Sequence, residues 1–163
     1  VSRDWSSDVC SSDLADWVEP GTAVRLTDIL AMEEKFGITL QAGDCVLLRS
    51  GHFARKRTLG TWDPTDLSAG FHVDVMELMR DRKVSVIGAD GDSDVRPSPV
   101  DGVESPIHAL ALPGMGIPLL DNLDLEALGA KCAELSRWTF QIVIAPLNIP
   151  RGTGSPVNPI AVF

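Results

Sequence analysis

Short apolar runs of strand length alternate along this chain with stretches of helical period, and a chain patterned this way has few means of burying both. The runs fall at 45–48 (CVLL), 84–87 (VSVI), 117–120 (IPLL) and 138–145 (WTFQIVIA). Nearly continuous apolarity marks strands covered on both faces. Between the runs, Ile29, Leu30, Met32 and Phe36 follow Thr27 at helical spacing and stop at Gly37, which predicts a short helix capped by Thr27. Phe71, Val75, Leu78, Met79 and Arg82 form a second stripe behind Ser68, and 107–112 reads as a third short helix. Leu125, Leu128, Cys132 and Leu135 form another stripe, with Asp124 as its cap. Helix and strand in alternation predict an α/β fold with a mixed or parallel sheet.

Two stretches fall outside that pattern. Segment 50–64 carries Arg55, Lys56 and Arg57 beside Gly, His and Trp and reads as an irregular surface loop. The tail from Pro146 onward is rich in Pro and Gly, so it is expected to wrap rather than form a long element. At 163 residues the chain holds one domain.

Composition narrows the partners. Fourteen basic against 23 acidic side chains give a net charge of −9, so no basic face offsets the repulsion of a phosphate backbone, and nucleic acid is excluded as a partner. The longest uncharged stretch, 105–120, is broken by Pro106, Pro113 and Pro118 and is too short for a membrane helix. Cys10, Cys45 and Cys132 are odd in number and contain no CxxC pair. Neither a disulfide framework nor a thiolate zinc site is indicated, and a reducing, cytoplasmic setting is expected.

Chemistry must come from three histidines, an acidic loop and the glycine turns. The loop 88–94 (GADGDSD) follows a strand but lacks the spacing of a phosphate loop, and its three carboxylates would repel an anion. Asp90, Asp92 and Asp94 match the first ligands of a calcium loop, yet Val95 stands where that loop needs glycine. A polar turn at the C-terminal edge of a sheet is the plainer reading, although α/β proteins place ligands at that edge. His72 and Asp74 form an HxD that a helix would point to opposite faces. His52 lies in the basic loop without an acidic or cysteine neighbour in sequence and reads as solvated or locally bonded. His108, inside the apolar SPIHALAL, needs partners for both ring nitrogens, either as a satisfied core histidine or as a ligand. The turn 152–156 (GTGSP) reads as a tight turn.

Residues 1–14, VSRDWSSDVCSSDL, repeat the tripeptide SSD and have neither the basic start nor the apolar centre of a signal peptide. They resemble translated sequencing-adapter read-through, and the expectation is a non-native or disordered tail, with 15–163 as the C-terminal portion of a single domain.

The succession GDCVLLRSG (43–51), SAGFHVDVMELMRDRKVSVIGADGDSDV (68–95), SPIHALALPGMGIPLLDNLDLEAL (105–128) and APLNIPRGTGSPVNPIAV (145–162), with EPGTA at 19–23, resembles the C-terminal half of the cyclase family, which includes bacterial kynurenine formamidase. The resemblance implies a partial swivelling β/β/α domain with a mixed sheet, its N-terminal half apparently missing. It implies a hydrolase that uses a divalent metal, zinc or manganese, on amides, formamides or lactones of small molecules. The type reaction is the arylformamidase step of tryptophan catabolism, and members are usually homo-oligomers. The family's main metal motif, HxGTHxD, is absent from this sequence, so this chain by itself is expected to be inactive and to bind metal weakly. The family's secondary metal set maps onto His108 and Asp121; many formamidases have Glu at the latter position, and the shorter side chain suits a supporting role as well as direct ligation. The alternative is a catalytically silent remnant or oligomer-assembly module lacking the primary metal site.

Overall fold

A computed structural model describes residues 4–8, as backbone, and 16–163. In chain order the elements are β1 (Asp4–Asp8), β2 (Ala23–Val24), α1 (Leu26–Phe36), β3 (Cys45–Arg49), α2 (His52–Leu59), β4 (Gly70–Phe71) and α3 (Val75–Asp81). They continue with β5 (Val86–Ala89), α4 (Pro106–Ala109), β6 (Leu119–Leu120), α5 (Glu126–Leu135), β7 (Thr139–Val143) and β8 (Ile160–Val162). Helix α4 widens into a π-helical turn at Leu110–Met115.

Six strands form one sheet in the order β6-β5-β3-β1-β7-β8. β1, β3, β5 and β6 run parallel, and the sheet turns antiparallel at β1–β7 and β7–β8. β2 and β4 make a separate parallel pair. The mixed sheet of an α/β protein is therefore present, as the alternation of patterns predicts.

Because successive side chains on a strand point to opposite faces, β3 feeds two cores. Val46 and Leu48 join Ile29 of α1, Phe71, Val75 and Met79 of α3, and Ile107 of α4. Cys45 and Leu47 join Leu120, Leu125, Cys132 of α5 and Phe140. Both faces of the central strand are buried, which is why its sequence is continuous rather than alternating.

Several local expectations are corrected. Helix α1 starts at Leu26, so Thr27 is not its cap; the Asp28 carboxylate accepts the Arg25 N–H and the Asp74 carboxylate accepts the Leu26 N–H. Its end at Gly37, with φ of 62°, is the expected left-handed stop. Asp124 likewise lies before the N-cap of α5, which is Leu125. Segment 50–64 is not wholly irregular, for α2 occupies its first half although none of its residues is buried. Helix α3 begins only at Val75, and Phe71 sits in β4. The tail ends in β8, which pairs with β7.

Part of the segment 1–14, expected as a non-native or disordered tail, is described. Residues 4–8 form β1 between β3 and β7, because ladder hydrogen bonds are made by backbone groups and accept any extended segment at that slot. The rest of that tail lies outside the described residues. Among the described residues, no helix is long and apolar enough to cross a membrane.

Candidate metal centre

Three parallel strands end on one edge, and the chain leaving each contributes polar groups there, as expected at the C-terminal edge of an α/β sheet. Ser50, Gly51 and His52 follow β3, Asp90 to Asp94 follow β5, and Asp121 follows β6.

Asp90 is fully buried and holds that edge together. Its carboxylate accepts the Ser50 N–H and Oγ–H and the N–H groups of Gly51 and His52, at 2.7 to 2.9 Å. The last two belong to the N-terminus of α2, so Asp90 caps a helix that lacks an apolar face of its own. Burial pushes its carboxyl above the ordinary value while the four donors pull the other way. Gly51 is required in this turn: its φ is 77°, and a Cβ there would lie 2.4 Å from the Asp16 carbonyl oxygen.

His108, on the short helix α4, has a carboxylate on each ring nitrogen. Nδ1 lies 2.7 Å from Asp94 Oδ2 and Nε2 lies 3.1 Å from Asp121 Oδ2. Asp94 is 1% exposed and also accepts the backbone N–H groups of Ile107 at 2.6 Å and His108 at 3.2 Å. It thus caps α4 and orients the imidazole that α4 carries. Asp121 is steadied through its other oxygen, which accepts the Ser93 N–H at 3.0 Å and the Ser93 Oγ–H at 2.6 Å. Asp92 stands 3.6 Å from Nδ1 and is clamped by Arg96, whose Nη2 donates to Asp92 at 2.7 Å and to Ser105 Oγ at 2.7 Å. Burial opposes a charge on His108, but the carboxylates of Asp94, Asp121 and Asp92 outweigh it and raise the imidazole above its ordinary value.

A metal fits this donor set. With Nδ1–H donated to Asp94, the Nε2 lone pair faces the Asp121 oxygen, and two acceptors 3.1 Å apart call for a proton or a cation between them. A histidine nitrogen and a carboxylate oxygen, each about 2.1 Å from one tetrahedral zinc ion, stand about 3.4 Å apart, so the pair would open by a few tenths of an ångström from its 3.1 Å to take one. Asp92, Asp94 and His108 also bring donor atoms within 4.8 Å of one another. On that side, however, Asp94 is engaged by three N–H groups and Asp92 by Arg96. Asp92, His108, Asp121 and Asn122, with Pro64 and Thr65, line a cavity of about 290 Å³.

The sequence-predicted pair, His108 and Asp121, is brought together. The residue the sequence reading missed is Asp94 as the orienting partner of His108; the signal was the DxD after a strand, there weighed as a calcium loop. That loop does not converge, since Asp90 turns into α2 while Asp92 and Asp94 serve Arg96 and His108. His72 and Asp74, expected to diverge, stand 3.1 Å apart because both precede α3. Asp74 is nevertheless occupied by Arg25 and Leu26, and His72 Nδ1 accepts the Asp74 N–H. His52 is half-buried against Trp62, with ring centroids 4.7 Å apart. Burial lowers its imidazole, Asp90 opposes this, and Lys56 and Arg55 add to the lowering.

Fold and site together define an α/β protein that gathers one histidine and a set of carboxylates at the C-terminal edge of a mixed sheet. The cyclase family model, described as "Putative cyclase", matches residues 4–93, more than half of the chain. The protein belongs to the cyclase family. Among solved structures, a novel cyclase superposes with a TM-score of 0.80 at 24% identity, over 99% of this chain and 53% of the other. Isatin hydrolase A from Ralstonia solanacearum gives 0.73 at 22% identity, over 98% and 59%. A protein described as a potential metal-dependent hydrolase with cyclase activity gives 0.62 at 15% identity, over 99% and 64%. The chain therefore spans between half and two thirds of the length of these structures. No curated protein matches the sequence.

Proposed function

We propose that this chain belongs to a metal-dependent hydrolase that opens the amide, formamide or lactone bond of a small molecule, with an arylformamidase-like reaction as the first candidate. The observation that supports the reading is the His108 imidazole held between Asp94 and Asp121 beside an open cavity. His108 and Asp121 are the residues that would hold a divalent ion such as zinc or manganese, with Asp94 fixing the tautomer. Such an ion supplies Lewis acidity toward an acyl oxygen and lowers the pKa of a water. The chain's own part is to orient His108, Nδ1 on Asp94 and Nε2 toward Asp121, so that an ion displacing the Nε2 proton would find the ring already aimed. Asp121, whose Oδ1 accepts from Ser93, keeps its Oδ2 beside His108 Nε2, where the two would share the ion. The cytoplasmic setting is supported by the three cysteines of the sequence, odd in number and without a CxxC pair.

The test is hydrolysis of N-formylkynurenine and of a simple lactone in the presence of zinc or manganese, with and without chelator, run beside a metal titration. Weak metal binding that is lost in His108→Asn, with little or no turnover by the 163-residue chain, is the expected result. A second reading, an assembly module, is favoured by the absence of HxGTHxD from the sequence; binding of no ion at all would select it.

A further inference from the structure

Arg96 brings a permanent positive charge to the candidate metal centre through Asp92. It is 9% exposed, and its guanidinium is engaged on every nitrogen. Nε and Nη2 donate to Asp92 Oδ2 at 3.2 and 2.7 Å, Nη2 also donates to Ser105 Oγ, and Nη1 donates to the Glu104 carbonyl oxygen at 2.7 Å. Its backbone exchanges two hydrogen bonds with Ser68. The Glu104 carboxylate, 3.7 Å from Nη1, is 89% exposed and so screened by water and salt.

Charge says what this arginine does there. Asp92, Asp94 and Asp121 surround one imidazole, and the lining of the cavity beside it contains no lysine or arginine. A guanidinium stays protonated in a protein, whereas an imidazole that donates through Nδ1 and ligates through Nε2 is neutral. Three carboxylates against one guanidinium leave two negative charges uncompensated, which is the charge of one divalent ion. Arg96 also occupies a carboxylate that could otherwise ligate. Asp92 lines the cavity as Asp121 does, yet its Oδ2 takes two guanidinium donors and its Oδ1 accepts the Asp94 N–H at 3.3 Å.

We infer that Arg96 sets the charge of the ion this centre takes: by pairing with Asp92 it keeps that carboxylate from ligating and matches the site to a divalent cation rather than a trivalent one. The inference rests on the reading of His108 and Asp121 as metal ligands. A purely structural Arg96 predicts the opposite sign. Its loss would loosen the Glu104–Ser105 segment that leads into α4 and His108, and so weaken binding of any ion. Loss of a competing charge instead tightens binding, because a unit charge a few ångströms away in a partly solvated site is worth about tenfold for each unit of ionic charge.

The experiment is isothermal titration of the unaltered chain, Arg96→Met, Arg96→Lys and Asp92→Asn with manganese(II) and, separately, terbium(III), each variant first checked for folding by circular dichroism. Arg96→Met is expected to bind manganese about 10- to 100-fold more tightly, and to raise the ratio of terbium to manganese affinity by about tenfold. Arg96→Lys keeps the charge and is expected to keep that ratio within about threefold of the unaltered chain. Asp92→Asn, of the same size and still an acceptor for Arg96, is expected to lower the ratio by about tenfold, and it carries the test by itself should Arg96→Met not fold. Weaker manganese binding by folded Arg96→Met, or a ratio that is the same in all the proteins that fold, overturns the inference and leaves the metal reading standing. Binding of neither ion by the unaltered chain overturns both.

Discussion

Asp94 joins two tasks in one buried carboxylate, capping α4 and orienting His108. An asparagine of the same size can accept through its oxygen but must donate through its nitrogen, so it cannot serve all three N–H groups. Asp94→Asn is therefore expected to weaken zinc or manganese binding by about 10- to 100-fold and to cost about 1–3 kcal/mol of stability. Isothermal titration and urea unfolding separate the two effects. His52 gives a pH dependence of its own. Its folded imidazole sits below the ordinary value of 6.5 because of burial, with Lys56 and Arg55 adding to the lowering and Asp90 opposing it. Between the lowered value and 6.5 the unfolded chain binds more protons, so this contribution to stability is complete above 6.5 and is lost as pH falls below it. His52→Gln should flatten that part of the stability curve between pH 7 and 5; an unchanged slope would assign it to other groups.

At the scale of elements, legibility followed packing. The strands β3, β5 and β6 were readable because both faces of the sheet are covered, which leaves a continuous apolar signature in sequence. The end of α1 was readable because a left-handed stop selects glycine at position 37. Its start was not, because Leu26 is capped by Asp74 from 48 residues away. Helix α2 was missed for a related reason: it has no buried residue, and its N-terminus is held by Asp90 across 38 to 39 residues. The pairing of His72 with Asp74 was misjudged because the apolar stripe runs back into β4, where a helical period means nothing. The pair His108 and Asp121 was legible through family resemblance, whereas Asp94, 14 residues from His108 in a loop, obeys no spacing rule. Gly70 in β4 shows how closely these pieces meet. A Cβ there would stand 2.6 Å from the Asp94 carbonyl carbon and oxygen, so Gly70→Ala must push β4 away from the segment that aims Asp94. A loss of about 1–3 kcal/mol in urea unfolding is expected, together with weaker metal binding.

On the scale of the whole molecule, the candidate centre joins segments that no single core holds. Asp94 leaves β5, His108 rides on α4 and Asp121 leaves β6, so an ion shared by His108 and Asp121 would tie α4 to the sheet edge. An ion that binds only the folded chain stabilises it by RT ln(1 + [M]/Kd), about 2.7 kcal/mol at a hundredfold excess over Kd. For a chain of this size each kcal/mol raises the melting temperature by about 2–4 °C, so zinc or manganese at that excess should raise it by about 5–10 °C. His108→Asn should abolish the shift. Asp121→Asn should abolish it where Asp121 is a direct ligand and only reduce it where Asp121 supports through Ser93 and a water. Differential scanning calorimetry of the three proteins thus reads the role of Asp121 without any turnover. A shift of full size that persists in His108→Asn would place the ion among other carboxylates and remove His108 from the centre.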